Sequence, residues 1–296
     1  MTFIWTVISA HGVVQVSDRL VSRGGVPIDP AANKTVLAYG RDGLITISCT
    51  GLAALEGLPT DVWVAHQIAG LPTGRDGRSE ISLFRMQRLP QYLDVGQSVN
   101  ALRVGLDRAL RGPLSQYSQT FSIAGWQWSR RTGRARRIGW AVDKRPYAAT
   151  KATSFIERRA TSGTFLLTAA PMPPPFSNDE ITTLQDALRP ALSDLQQCAD
   201  ILATSIRVGA TRWPTIGSNC MAITLPPPMG TATAHCRYIP ASWADDDWVT
   251  FYTPAVISGD QLIAYSSRVS LIASAARAQK EAGQFITLGE AITLGF

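Results

Sequence analysis

Two runs of β-branched and aromatic residues, TFIWTVIS at 2–9 and VVQVSD at 13–18, flank the turn signal Ala10-His11-Gly12, a pattern that predicts a β-hairpin. Both faces of these strands are largely apolar, so the hairpin has to sit in a sheet covered on both sides. A sheet with one solvated face is excluded, and layers of structure are required above and below it. With 296 residues, 45% of them hydrophobic, the chain is long enough to bury such a core. Antiparallel pairing about this turn also sets Thr2 opposite the stretch from Asp18 to Val21, so the second residue and an acid lie on neighbouring strands.

Downstream, the Gly- and Pro-rich stretch 22–30 predicts a loop, and strands follow at 35–39 and 44–49 around the turn Gly40-Arg41-Asp42-Gly43. From Leu52 the spacing becomes helical, with Leu52, Leu55, Val62 and Ile68 as core positions. Residues 72–97 read as a long connection, after which Ser98 is the expected cap of a helix carrying Val99, Leu102, Leu106 and Leu110 on one face. Strands are predicted at 120–125, 137–142, 153–157 and 164–168. Ser177 opens a helical tract divided at Pro190, capped again at Ser193 and running to about residue 208. A last strand pair is expected at 216–225 and 232–238. Beyond Ala241 lies an extension with acids at Asp245–Asp247 and strands at 249–252 and 262–266. The order strands, helices, strands, helices, strands predicts an α+β fold in which two antiparallel sheets stack and helices cover both outer faces, a four-layer αββα sandwich. The expected organisation is one domain over 1–240 with a C-terminal extension over 241–296.

The excess of 28 basic over 22 acidic residues gives a formal charge of +6, which concerns association with anions and not the fold. The run Arg130-Arg131-Thr132-Gly133-Arg134-Ala135-Arg136-Arg137, bordered by Trp126, Trp128 and Trp140, falls at a hairpin tip. It reads first as a solvated turn or a subunit contact, so nucleic acid is not the expected partner; the weaker alternative is a nucleic-acid-associated protein gripping phosphates with this tip beside the tryptophans. Cys49, Cys198, Cys220 and Cys236 have no zinc or redox spacing, and His11, His66 and His235 are scattered. No metal or cofactor is therefore expected. The apolar stretch Phe3 to Val16 lacks a basic leader and is broken at His11-Gly12, and no segment is long enough to span a bilayer. The expectation is a cytoplasmic protein without a membrane partner.

The chemistry concentrates at the start of the chain. Loss of Met1 would leave Thr2 with a free α-amine of pKa roughly 7.7–8.0, able to act as a base beside its own hydroxyl. Asp18 and Lys34 follow at regular intervals, the lysine at the start of a predicted strand from which it could reach back toward Thr2 and Asp18.

These residues, with Ser17-Asp18-Arg19-Leu20-Val21-Ser22, Asn33-Lys34 and Ser48-Cys49-Thr50-Gly51, resemble the opening of the proteasome β-subunit family, N-terminal nucleophile hydrolases that include bacterial proteasome homologues. The resemblance extends in outline over residues 2–240 and implies the αββα fold of that family. It implies that Thr2 attacks a peptide carbonyl, that Lys34 lowers the pKa of the nucleophile, and that Asp18 orients Lys34. It further implies an oxyanion hole at the Ser48 N–H and pairing of an extended peptide with the backbones of Ser22, Ser48 and Thr50. The family usually has glycine at the position of Ser48. Where it places a Gly-Ser-Gly turn, this sequence reads Ala169-Ala170-Pro171. Where it places Asp-x-x-Ser, this sequence reads Arg212-Trp213-Pro214-Thr215-Ile216-Gly217, with Thr215 a stand-in and no acid. The implied protein is a peptide-cleaving, ring or helical homo-oligomer, with nothing said of an ATPase partner. The alternative is a non-catalytic scaffold of the same fold.

Overall fold

The computed structural model describes residues 2–23, 25–30, 32–71, 73, 87–88, 92–129, 131–155, 165–171, 174–228, 234–241, 255–258 and 261–264. In chain order the strands begin with β1 (Ile4–Ser9), β2 (Gly12–Asp18), β3 (Val21–Arg23), β4 (Val26–Asp29), β5 (Thr35–Gly40) and β6 (Gly43–Thr50). Two short pieces, β7 (Ala54–Leu55) and β8 (Leu58–Pro59), lead into helix α1 (Thr60–Ala69). Then come β9 (Gln87–Arg88), α2 (Val95–Ala109), β10 (Gln119–Trp128), β11 (Ala135–Lys144), β12 (Lys151–Ser154) and β13 (Leu166–Ala170). Helices α3 (Asn178–Leu188) and α4 (Leu195–Arg212) precede β14 (Cys220–Leu225), β15 (His235–Ile239), β16 (Ala255–Ser258) and β17 (Gln261–Ala264). The fold is mixed α+β, with predominantly antiparallel sheets.

The chain divides into two compact units, one of Met1–Asn33, Ala160–Thr253 and Arg268–Phe296, the other of Lys34–Arg159 and Pro254–Ser267. In the first, an antiparallel sheet of order β13-β1-β2-β14-β15 carries α3 and α4. Every residue of β1 and β2 is buried, as the absence of alternation in the sequence requires. One side of the hairpin, Phe3, Trp5, Val7, Val14 and Val16, packs with Leu184, Leu188, Leu202 and Ile206 of the two helices. Phe3, Trp5 and Phe176 form an aromatic cluster with ring centroids 5.0–5.5 Å apart.

The second unit is built on a sheet of order β12-β11-β10-β6-β5-β16-β17-β9, with Trp63 of α1 and Leu102 and Leu106 of α2 packed on Val36, Ile45, Ile47, Phe121 and Ile123. Trp63 lies stacked on Phe121 at 5.9 Å. Asp107 of α2 accepts from the backbone N–H and hydroxyl of Thr150 and from Lys144 Nζ, which ties α2 to the end of β11. The Thr150 hydroxyl, above all, holds the Asp107 carboxyl below the ordinary carboxylate range.

Several local expectations are corrected. The helix expected from Leu52 starts only at Thr60, because Glu56-Gly57, both at positive φ, turn the chain between β7 and β8 first. Asp94, not Ser98, caps α2: its carboxylate accepts from Gln97 N–H, the Gln97 side chain bonds back, and the Ser98 hydroxyl is spent on the Asp94 carbonyl. Likewise Asp194, not Ser193, caps α4, whereas Ser177 does cap α3, in a box with Glu180. The expected loop at 22–30 is the two-stranded ribbon β3–β4. The expected strand at 216–225 begins at Cys220. One pairing is not antiparallel: β16 runs parallel to β5, with Ala255 opposite Val36. The acids at 245–247 and the strand expected at 249–252 lie outside the described residues, as do parts of the strands expected at 153–157, 164–168, 232–238 and 262–266.

Leu202 is fully buried beneath β2 and β14, whereas Val208 on the same helix is 42% exposed. Leu202→Ala is expected to lower the unfolding free energy by about 2–5 kcal/mol, and Val208→Ala by less than about 0.5 kcal/mol, as read from urea melts.

Candidate active site

The first two strands meet a third segment at Asp18. The carboxylate is fully buried at the end of β2 and accepts three backbone N–H groups: Phe3 to Oδ1 at 2.6 Å, Leu20 to Oδ2 at 3.0 Å and Gly217 to Oδ2 at 2.9 Å. The Asp18 N–H returns a bond to the Phe3 carbonyl at 3.0 Å. Phe3 is the residue after Thr2, so the acid fixes the backbone on which Thr2, itself buried, is carried. Gly217 is required by close approach: a Cβ there would meet Leu20 Cβ at 2.6 Å and the Leu20 nitrogen at 2.9 Å. The paired placement of Thr2 and Asp18 read from the hairpin register is thus observed within one unit.

Arg19, fully buried, continues the same corner. Its N–H donates to the Asn219 carbonyl at 2.9 Å, its Nε to the Ala32 carbonyl at 3.2 Å, and its guanidinium lies 4.9 Å from the Tyr238 ring centre. Asn219 Nδ2 in turn reaches the Pro30 carbonyl at 3.4 Å. The backbone two residues before Lys34 is therefore held by the side chain next to Asp18. The sequence neighbours of Arg19 give no signal of this anchoring role. Thr215 lies half-buried in the turn that precedes Gly217. On the other side of β1, Ala170 stands opposite Ile4 and Ala169 opposite Trp5, so methyl groups occupy the end of β13 beside the first residues of β1.

Lys34, Ser48 and Thr50 belong to the second unit. Lys34 is buried just before β5, and its carbonyl accepts from Cys49 N–H at 2.9 Å. Ser48 is directly opposite Thr35, with the two hydroxyls 2.8 Å apart, and opposite Ser122 on the other side. Since the Cys49 amide points to β5, alternation turns the Ser48 amide to β10, inside the ladder. A substrate oxygen would have to displace a sheet hydrogen bond to reach it, so an oxyanion role for the Ser48 N–H does not fit this placement. Thr50 is the last residue of β6, opposite Thr120. Gly51, which follows at φ +126° and is exposed, puts its amide past the last ladder pair. Leu52 N–H is clamped by Gln119 Oε1 at 2.6 Å. The sequence signal for Gly51 was a lone glycine between a strand and a helical pattern. Ser22, in β3, is half-buried and stands opposite Pro27, which has no N–H to give it.

Cys49, Cys198 and Cys220 are buried and Cys236 is half-buried. All four are unbridged. Burial, with a smaller contribution from Asp194, pushes the Cys198 thiol up to about 11. Burial pushes Cys236 up to about 12, against the opposing pull of the Arg19 cation.

No protein-family model matches the chain, and no curated protein matches it. Among solved structures, a Gly-1 mutant of Anbu from Hyphomicrobium sp. strain MC1 is similar with a TM-score of 0.51 at 12% identity, over 84% of this chain and 90% of the Anbu chain. A second structure, Anbu from the same strain, has a TM-score of 0.49 at 14% identity, over 83% and 89% of the two chains. These comparisons correct the family assignment. The motifs that carried the resemblance occupy a few positions in the first 51 residues, and no match to a family accompanies them. What stands is a likeness of fold to Anbu.

Two outcomes follow from this geometry. Asp18→Ala, which strands three buried N–H groups, is expected to cost at least about 3 kcal/mol in a urea melt, with Asp18→Asn falling between it and the parent chain. Iodoacetamide at pH 8 should leave Cys198 unmodified in the folded protein, because its sulfur is fully buried and burial raises the thiol pKa. Peptide mapping after labelling in urea should recover it, and fast labelling in the folded state would contradict that burial.

Proposed function

We propose that this chain is a threonine-type N-terminal nucleophile hydrolase that cleaves peptide bonds once Met1 is removed, acting in the cytoplasm as a ring or helical homo-oligomer. The four-layer αββα arrangement is part of the same reading. The observation that carries it is the buried Asp18 carboxylate bonded to the N–H of Phe3, which immobilises the backbone beside Thr2. The fold likeness to Anbu supports the fold half of the reading. No helix among the described residues is long and apolar enough to cross a membrane.

In this mechanism Thr2 Oγ1 attacks the scissile carbonyl carbon while its proton passes to the Thr2 α-amine. The tetrahedral intermediate collapses with loss of the amine product, which takes the proton back from the ammonium. The ester left on Thr2 is then hydrolysed by water, with the same amine as base. Lys34 supplies a fixed cation near the developing alkoxide. Of the amides near the end of β6, that of Gly51 suits the oxyanion better than that of Ser48. The Ser22 and Thr50 backbones would pair with an extended peptide.

A second reading, a non-catalytic scaffold of the same fold, is favoured by the alanines at the end of β13, where the register offers β1 no hydroxyl. The deciding experiment is the intact mass of protein made in its native host, before and after a threonine-directed epoxyketone. The proposal expects loss of Met1 and a single adduct that Thr2→Ala abolishes, with Lys34→Ala slowing adduct formation by about 10²-fold or more. Retention of Met1, or a free Thr2 that does not react in the assembled protein, leaves the scaffold.

A further inference from the structure

The β10–β11 hairpin ends in a closely bonded loop. Ser129 N–H donates to the Arg134 carbonyl at 2.9 Å, Gly133 N–H to the Ser129 carbonyl at 2.8 Å and Thr132 N–H to the Ser129 hydroxyl at 3.3 Å. From this loop and the adjoining strand Arg131, Arg134 and Arg136 are exposed and Arg137 is half-buried. None of the four makes an ion pair with a carboxylate among the described residues. Arg108, Arg145, Arg189, Arg212 and Arg237, by comparison, each have an acidic partner, while Arg103 and Arg207 are bonded to neutral oxygens. Four like charges on one short hairpin end repel one another and are not neutralised within their own unit, which is the electrostatic footprint of a site for a polyanion.

Beside these cations lies an open cleft of about 550 Å³ lined by Asp42, Asp94, Gln127, Trp128, Ser129 and Arg136. Arg136 is held in place by two bonds from Nε and Nη2 to Gln127 Oε1 at 3.2 and 2.8 Å, which leaves three guanidinium N–H groups for a ligand. Gln127 is in turn fixed by Asp42 Oδ2 at 2.7 Å. The half-buried Trp128 supplies an aromatic surface in the same cleft. Asp42 and Asp94 line it with acceptors, both engaged with backbone N–H groups of α2. An acidic peptide brought to the arginines would set its carboxylates against these two acids. A nucleic-acid strand would instead lay phosphates along the arginines and offer the cleft a base, flat enough for Trp128 and edged with N–H donors for the carboxylates.

We propose that the arginine-bearing end of the β10–β11 hairpin, together with the Trp128 cleft, binds single-stranded nucleic acid. The site lies wholly in the second unit and is independent of whether Thr2 is a working nucleophile. The test is fluorescence anisotropy of the full chain with a fluorescein-labelled single-stranded 20-mer, titrated from 50 to 300 mM salt. Arg131→Gln/Arg134→Gln/Arg136→Gln is expected to weaken binding at least about tenfold at low salt. It should also reduce the slope of log K against log salt by about 2, from three lost phosphate contacts. Trp128→Ala is expected to weaken binding about fivefold or more with the slope unchanged. If the triple variant loses its native circular dichroism, the exposed pair Arg131→Gln/Arg134→Gln replaces it, with a slope change of about 1.4. The proposal is overturned if the strand does not bind, if the arginine variants bind as the parent does, or if labelled poly-glutamate of equal length binds as tightly.

Discussion

A buried charge organises the first unit. Taking a carboxylate out of water costs several kcal/mol unless it is hydrogen-bonded where it ends up, and Asp18 is bonded by three amides drawn from the start of β1, the corner after β2 and the loop before β14. Each of these segments would otherwise carry an orphaned buried N–H. The acid and the three amides thus stabilise one another only when all three segments are in place, which makes the corner cooperative. Arg19 extends it, its backbone N–H bonded to Asn219 and its side chain to Ala32, so two consecutive residues gather stretches of chain some 200 residues apart in sequence.

What could be seen in the sequence follows from range. The first hairpin was legible because its signal is local: two β-rich runs and a turn, with register set by counting. The same counting put Thr2 beside Asp18. The Gly40–Gly43 turn, the buried face of α2 and the box at Ser177 were legible for the same reason. The caps at Ser98 and Ser193 were misplaced by four residues and by one, because a neighbouring aspartate, Asp94 before Ser98 and Asp194 directly after Ser193, competes for the same amides and a short stretch of sequence does not rank them. The Gly217 amide could not be assigned to Asp18, because nothing near residue 217 records an acceptor 199 positions earlier. The parallel strand β16 was missed for a related reason: a four-residue strand far along the chain has no periodicity to show.

The resemblance to known hydrolases fails for a comparable reason. Short motifs at fixed intervals can be kept by a chain whose remaining residues have no detectable match, and the fold likeness at 12% identity reflects an arrangement of strands and helices that many sequences can specify. Fold therefore speaks for architecture, and chemistry has to be argued from groups. Here the groups divide unevenly. The Phe3–Asp18 side rests on observed hydrogen bonds, whereas the end of β13 presents methyl groups.

The position of any oxyanion donor shows how a sheet restricts its own chemistry. Inside β6 each backbone amide is committed to β5 or β10, so none there can be lent to a substrate without breaking a ladder bond. Pairing stops at Thr50, and the next amide along the chain is the first beyond the ladder. That residue is Gly51 for a steric reason: at φ +126° a side chain would be strained, and its Cβ would meet Gln119 Oε1 and the Ser118 carbonyl, both at 2.5 Å. Gln119, through its bond to Leu52 N–H, sets the direction in which the chain leaves the sheet. A larger residue at 51 would force that clamp open and redirect the amide, so the identity of Gly51 and the orientation of Gln119 are one constraint expressed at two positions.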